Sequence, residues 1–381
     1  GRLTDLIYPL PDFREGSRAR QESDLRQTQN AQPAIGAVSI GAYKILESFG
    51  LHPEAAAGHS FGELTALCAS GRLDVEALIS LARVRGELMA SGEGDRGSML
   101  AVKATLDEVN QAIDDESLDL IVANKNAPSQ SVLSGATSEI ERAEEVFKSR
   151  KLPCKTLPVS AAFHSSLVAG ARQPFADALS ETEFGDARFP VYSNSTADEY
   201  PIDSEDAQAV LASQLACPVE FVQQIENMYG AGIRTFIEVG PGKVLTSLIK
   251  SILSDRPHVA IAIDSSGGKK SGVTDLACAL SQLAALGRGI ALERWDVSAE
   301  GLRSKVEAKK PAMTVKISGA NYVTPRTPKP PTVRKPEIRE GASAESTRQN
   351  QTKAKSNQEP GPQSPAAAPT STKINMTQSS G

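Results

Sequence analysis

The chain has 381 residues, 40% hydrophobic and 23% charged, which is ordinary globular composition and enough for about two domains, or one large one with extras. A formal net charge of -5 and only 4% aromatics exclude a global basic field or base-stacking surface for nucleic acid. Cys68, Cys154, Cys217 and Cys278 form no CxxC pair, so they read as reduced cytosolic thiols and not as a disulfide framework or metal site. No apolar run approaches the roughly 20 residues that span a bilayer, and no signal peptide opens the chain. Residue 1 is Gly and the first 26 residues are rich in Arg, Pro and Asp, so the N-terminus is expected to be cut from a longer polypeptide. The C-terminus, stopping inside a low-complexity tract, is expected to be cut too.

Apolar residues at helical spacing predict a helix over Ala34–Phe49, with Gly50 as its cap. Ala55–Gly58 has strand length and turns abruptly into a second helix ending near Gly71, and a third helix is predicted over Asp74–Met89. Residues 98–158 have their own rhythm. Strands are expected at 98–103, 118–124, 131–133 and 154–157, with helices at 106–113 and 139–150. The order β-α-β-β-α-β is that of a ferredoxin-like subdomain, inserted into a larger unit that resumes around Ser160. There, strands at 189–192, 235–239 and 259–263 alternate with helices at 207–215, 219–229, 244–253 and 275–286, which indicates a parallel sheet covered by helices. The expected organisation is a large subdomain over 1–97 and 159–300, the insertion over 98–158, a post-domain segment over 301–324 and a disordered Pro/Ala-rich linker over 325–381.

Gly58-His59-Ser60-Phe61-Gly62 fits G-x-S-x-G. A serine at a sharp strand-to-helix turn sits in strained backbone, and flanking glycines give its neighbours room. Its hydroxyl is exposed at the carboxyl end of the sheet, where the Phe61 N–H and the positive helix end can meet a tetrahedral oxyanion. A bare G-x-S-x-G can also be a Gly-rich turn with a capping serine; the Ala strand before it and the helix after it favour the nucleophile. Such a serine needs a base. Of the four histidines, His52 and His258 fall in surface loops, and His59 adjoins the serine, so its side chain leaves the turn in another direction. His164, in "VSAAFHSSL", is the candidate by elimination.

Five segments together resemble the malonyl-CoA:acyl-carrier-protein transacylases and the acyltransferase domains of polyketide and fatty-acid synthases: "QNAQPAI" (29–35), "GHSFGE" (58–63), "RVRGELM" (83–89), "AAFHSSLV" (161–168) and "EVGPGKVLTSLIK" (238–250). The resemblance runs from about residue 27 to 286. Within the family, "ANKNAPSQSVLSG" and "VKISGANYVTP" are most similar to acyltransferases of iterative polyunsaturated fatty acid synthases. It implies a hydrolase-like α/β fold and a Ser60–His164 dyad. The histidine is steadied by a backbone carbonyl near Gln214, with no third acid, and Arg85 pairs bidentately with a malonyl carboxylate. It places His59, Phe61, Gln32 and Asn126 around the substrate, and makes the bulk of Phe163 the reason for malonyl over methylmalonyl, a difference of ~1–3 kcal/mol at most. It calls for no metal and no tightly bound cofactor. The substrate is malonyl-CoA and the acceptor is the phosphopantetheine of an acyl carrier protein domain downstream of the linker. A ketosynthase is expected upstream, in a cytoplasmic synthase. The family begins with a strand ending in Gly-Gln-Gly, whose glutamine supplies a second oxyanion donor; this chain has no such segment.

Two other readings stay open. A serine esterase would need an acid between Ser60 and the histidine; Asp74, Asp95, Asp107, Asp114, Asp115 and Asp119 all fall in helix- or loop-like contexts. An inactive docking module would never form an acyl-serine.

Overall fold

The computed structural model describes residues 2–91, 95–159, 161–165 and 170–295. The expected post-domain segment and linker lie outside them.

The long helix α3 (Thr28–Ser48) buries Ile40, Tyr43 and Leu46, and Gly50 behind it takes φ +84°, a conformation that glycine adopts without strain. It leads into β1 (Ala56–Ala57), which runs parallel to β6 (Val191–Tyr192). After β1 the chain turns directly into α4 (Gly62–Ser70), stopped by Gly71 at φ +94°. Helix α5 (Val75–Ala90) is N-capped by the Asp74 carboxylate, which accepts from the Ala77 N–H at 2.7 Å. Helices α3, α4 and α5 share a core of Ile40, Leu64, Leu67, Leu78 and Leu81.

The insertion contains β2 (Ser98–Val102), α6 (Leu106–Asp115), β3 (Leu120–Ala127), β4 (Gln130–Gly135), α7 (Thr137–Ser149) and β5 (Cys154–Thr156). Its strands form one antiparallel sheet in the order β3-β4-β2-β5, the split βαβ arrangement. Both helices bury apolar residues against it around Leu100, Leu133 and Phe147. The chain then continues through α8 (Arg172–Ser180), β6, α9 (Ser204–Ser213), α10 (Phe221–Gly230), β7 (Thr235–Glu238), α11 (Val244–Ile252), β8 (Val259–Ala262) and α12 (Gly272–Ala285). No described helix is long and apolar enough to cross a membrane.

The parallel strands come in two pairs, β1 with β6 and β7 with β8. Between the pairs lies a cavity of about 970 Å³, lined by Ala55–Ala57 on one side, Thr235–Val239 on the other, and Ile35, Ser39 and Tyr43 of α3. Ser60 is among its lining residues.

Three helices go beyond the sequence expectation. The N-terminal stretch, read there only as Arg-, Pro- and Asp-rich, carries α1 (Leu3–Ile7) and α2 (Ser17–Arg26). Helix α2 is polar almost all round and is supported by an Arg18–Glu22 pair at 3.1 Å, so no apolar stripe announces it. Helix α8 has one buried pair, Phe175 and Leu179, and Pro174 in its first turn hides the pattern.

Candidate active site

Ser60 has φ 52°, in the left-handed region, which costs a non-glycine residue roughly 1–2 kcal/mol. Two features hold it there. A Cβ on Gly58 would lie 1.9 Å from the Gly62 carbonyl carbon, so only glycine permits the turn to fold back on itself. The Ser60 N–H donates to Asn194 Oδ1 at 2.5 Å, and Asn194 Nδ2 donates to Gly58 O at 2.7 Å and Gln224 Oε1 at 3.1 Å. Asn194 thus spans both sides of the turn from the end of β6. Gly62 differs from the expectation that both flanking glycines make room: a Cβ there would meet nothing within 4 Å.

The Ser60 hydroxyl lies 2.8 Å from Nε2 of His164. His164 Nδ1 is 3.1 Å from Gln214 O and 3.0 Å from Cys217 O. Two carbonyl acceptors require Nδ1 to carry the proton, so Nε2 is the acceptor facing the serine. Burial, then the nearby positive charge of Arg85, pushes the His164 pKa down to about 3. The imidazole is neutral at physiological pH, as a base must be. The Phe61 N–H bonds to none of the described residues and points from the start of α4.

Arg85 is 1% exposed. It donates to Gln32 Oε1 at 2.9 Å, Gln214 Oε1 at 3.0 Å and Ser60 Oγ at 3.3 Å. Burial pulls its pKa down to about 10, so it is still a cation at neutral pH. Its place depends on Gly86: a Cβ there would come within 2.5 Å of Gln29 Cα. That close approach of α5 to the start of α3 sets Gln32 beside Arg85.

Ser60, Arg85, Gln32, Phe61, Phe163 and His59 all line the cavity. Asn126 and Gln214 do not line it; each bonds to a residue that does. His59 Nε2 donates to Asn126 Oδ1 at 2.7 Å, and its ring stands edge-on to Phe221. Asn126 lies inside β3. Gln214 does more than offer a carbonyl: its Nε2 also donates to Ser60 O at 2.8 Å. His52 is exposed, and His258 bonds a neighbouring carbonyl away from the site.

Sequence reasoning missed Asn194, Cys217 O, and the buried pair Glu63–Tyr200. Asn194 lies two residues after β6, the strand beside the nucleophile strand, and that nearness was the signal available.

A serine in a strand–turn–helix elbow, bonded to a neutral buried imidazole at the carboxyl end of parallel strands, is an arrangement able to carry an acyl group on a hydroxyl. The chain belongs to the acyl transferase domain family, whose model matches residues 17–275. It is 30% identical over 332 residues to a polyunsaturated fatty acid synthase component of Thraustochytrium sp. (strain ATCC 26185 / S-3), a match covering 86% of this chain and 12% of that protein. It is 37% identical over 248 residues to the malonyl CoA-acyl carrier protein transacylase of Bacillus subtilis (strain 168), covering 63% and 77%. The acyltransferase domain from the second module of the salinomycin polyketide synthase superposes with a TM-score of 0.66 at 26% identity, covering 81% of this chain and 69% of that one.

Proposed function

We propose that the chain moves a malonyl-type group from coenzyme A, through an ester on Ser60, to the phosphopantetheine thiol of an acyl carrier protein. The observation that carries the reading is one cluster: Ser60 Oγ within 2.8 Å of His164 Nε2 and 3.3 Å of the Arg85 guanidinium. In the first half-reaction Oγ attacks the thioester carbonyl as Nε2 takes its proton. The oxyanion meets the Phe61 N–H and the start of α4. Collapse expels the coenzyme A thiolate, which takes the proton back from His164. In the second half-reaction the carrier thiol gives its proton to His164 and attacks the ester, and Ser60 leaves with that proton. The Gln214 and Cys217 carbonyls hold the tautomer throughout, which is the role an acid plays in a hydrolase triad.

Arg85 supports a carboxylated acyl group. Its hydrogen-bond partners are neutral oxygens, so a substrate carboxylate would meet an uncommitted buried charge. Phe163 narrows the space beside Ser60 against a branched acyl chain. The names of the relatives, one a malonyl CoA-acyl carrier protein transacylase, support malonyl and a carrier protein. The chain spans only 12% of the synthase component it matches, so an upstream ketosynthase, downstream carrier domains and a cytoplasmic setting are part of this proposal.

The test is transfer from malonyl-CoA to a carrier protein offered with and without phosphopantetheine. Malonyl on the pantetheinylated carrier alone, and none with Ser60→Ala, is the expected result. Release of free malonate with no carrier loading would favour the esterase reading instead.

A further inference from the structure

Beneath the nucleophile turn lies an ionisable group that the transfer chemistry does not use. Glu63 is the second residue of α4 and has no exposed surface. Its Oε2 accepts from the Tyr200 hydroxyl, while Oε1 finds no hydrogen-bond partner among the described residues. Arg85 is buried in the same compartment, yet its guanidinium donates only to neutral oxygens. Both groups are buried, yet they form no direct ion pair among the described residues. Gln214 is linked to both: its Oε1 accepts from Arg85, and its side chain helps to favour the Glu63 carboxylate.

We infer that Glu63 is the proton-linked counter-charge of Arg85: free to ionise while the acyl pocket is empty, and held as a carboxylic acid when a substrate carboxylate docks on Arg85. This rests on the reading of Arg85 given above. One buried positive charge balances one buried negative charge. A docked carboxylate adds a second negative charge beside two buried ionisable groups, where an uncompensated charge costs most. One proton from solvent restores the balance: bound carboxylate plus Glu63 carboxylate plus a proton gives bound carboxylate plus Glu63 carboxylic acid. Oε1, having no donor to lose, is free to take it.

The surrounding groups leave Glu63 as the one that moves. Burial pushes its carboxyl up to about 7, with the Tyr200 hydroxyl, the Asn194 N–H, the Gln214 side chain and Arg85 drawing it back down. Tyr200 is raised well above its ordinary value by the same burial and stays a neutral donor. His59 and His164 are both held neutral by burial. Arg85 keeps its proton until about pH 10.

The experiment compares the second-order rate constants for acylation by malonyl-CoA and by acetyl-CoA between pH 6 and 8.5. Acetyl carries no carboxylate, so effects on His164, Ser60 and the coenzyme A phosphates cancel in the ratio. The malonyl-to-acetyl ratio should fall above about pH 7, toward the tenfold per pH unit that one linked proton allows. In Glu63→Gln the ratio should be flat across the range. In Tyr200→Phe, which removes a bond favouring the carboxylate, the fall should begin at higher pH. A ratio that is flat in the unaltered chain, or that falls equally in Glu63→Gln, overturns the inference. If Glu63→Gln is insoluble, an unshifted profile in Tyr200→Phe overturns it. A ratio near one at every pH would instead sink the reading of Arg85 as the carboxylate site.

Discussion

The Ser60 hydroxyl and the His164 imidazole meet at 2.8 Å, and both residues have left-handed backbones, with φ of 52° and 58°. Strained residues on two separate segments are brought to hydrogen-bond distance by the packing around them. On the serine side that packing is Gly58 and Asn194; on the histidine side it is the carbonyls of Gln214 and Cys217.

His164 sets the acid side of the pH behaviour. Its folded pKa of about 3 lies below the ordinary 6.5, so the base is neutral through the physiological range. Acylation by acetyl-CoA should therefore show no loss attributable to His164 between pH 8 and 5. His164→Ala should slow it by about 10²–10⁴-fold, the usual worth of a positioned base. Burying a neutral histidine also has a stability sign. The unfolded state binds the proton first, so stability held above pH 6.5 is lost as the pH falls toward 3. Urea titrations of the two proteins should converge in that window.

Glu63 has the opposite sign. Its folded pKa of about 7 is raised above the ordinary 4.5. The stability linked to it is fully present below pH 4.5 and is lost as the pH rises through 7. Relative to Glu63→Gln, the unaltered chain should lose roughly 3 kcal/mol between these limits, read from urea midpoints at a series of pH values.

Arg85→Ala should separate the two acyl donors. Loss of a charged, bidentate hydrogen bond is worth about 1.5–3 kcal/mol, or roughly 10–100-fold in malonyl transfer. Acetyl transfer should be kept or gained. An equal fall for both donors in single-turnover acylation would make Arg85 a structural residue.

The three glycines of the site should behave differently as alanines. Gly58→Ala puts a Cβ 1.9 Å from backbone and should prevent the elbow from forming. Gly86→Ala forces α5 from the start of α3 and should cost about 1–3 kcal/mol, with Gln32 displaced from Arg85. Gly62→Ala meets open space in the first turn of α4 and should stabilise the fold by about 0.4–1 kcal/mol. Thermal midpoints of the three variants give the order.

Asn194 tests how the strained serine is held. Asn194→Asp keeps an acceptor for the Ser60 N–H but loses both donations, to Gly58 O and Gln224 Oε1. Asn194→Ala loses everything and leaves buried groups unpaired, at about 1–3 kcal/mol each. Stability should fall in both variants, and acylation should fall further in the alanine.

The elbow, the insertion and the late glycine turn were legible because each depends on local rules. Gly-x-Ser-x-Gly after a short apolar strand, the β-α-β-β-α-β rhythm, and Gly240 and Gly242 with φ of 147° and 85° are signals a chain shows in a few residues. Ser60, His164 and Arg85, singled out by the elbow, by elimination and by resemblance, meet within hydrogen-bond distance around the Ser60 hydroxyl. What stayed hidden depends on distant packing. Asn194 and Tyr200 reach Ser60 and Glu63 only because β6 lies beside β1. Gly62, expected to be sterically required, is not, because it faces the open cavity side of the turn.

Whether an acyl group is carried on Ser60 is measured directly by the intact mass of the chain after brief exposure to malonyl-CoA. A gain of one malonyl group is expected, located on the peptide containing Ser60, cleared by a pantetheinylated carrier protein and absent in Ser60→Ala. A malonyl adduct that persists in Ser60→Ala, or no adduct at any time while malonyl still reaches the carrier, would contradict a covalent acyl-serine.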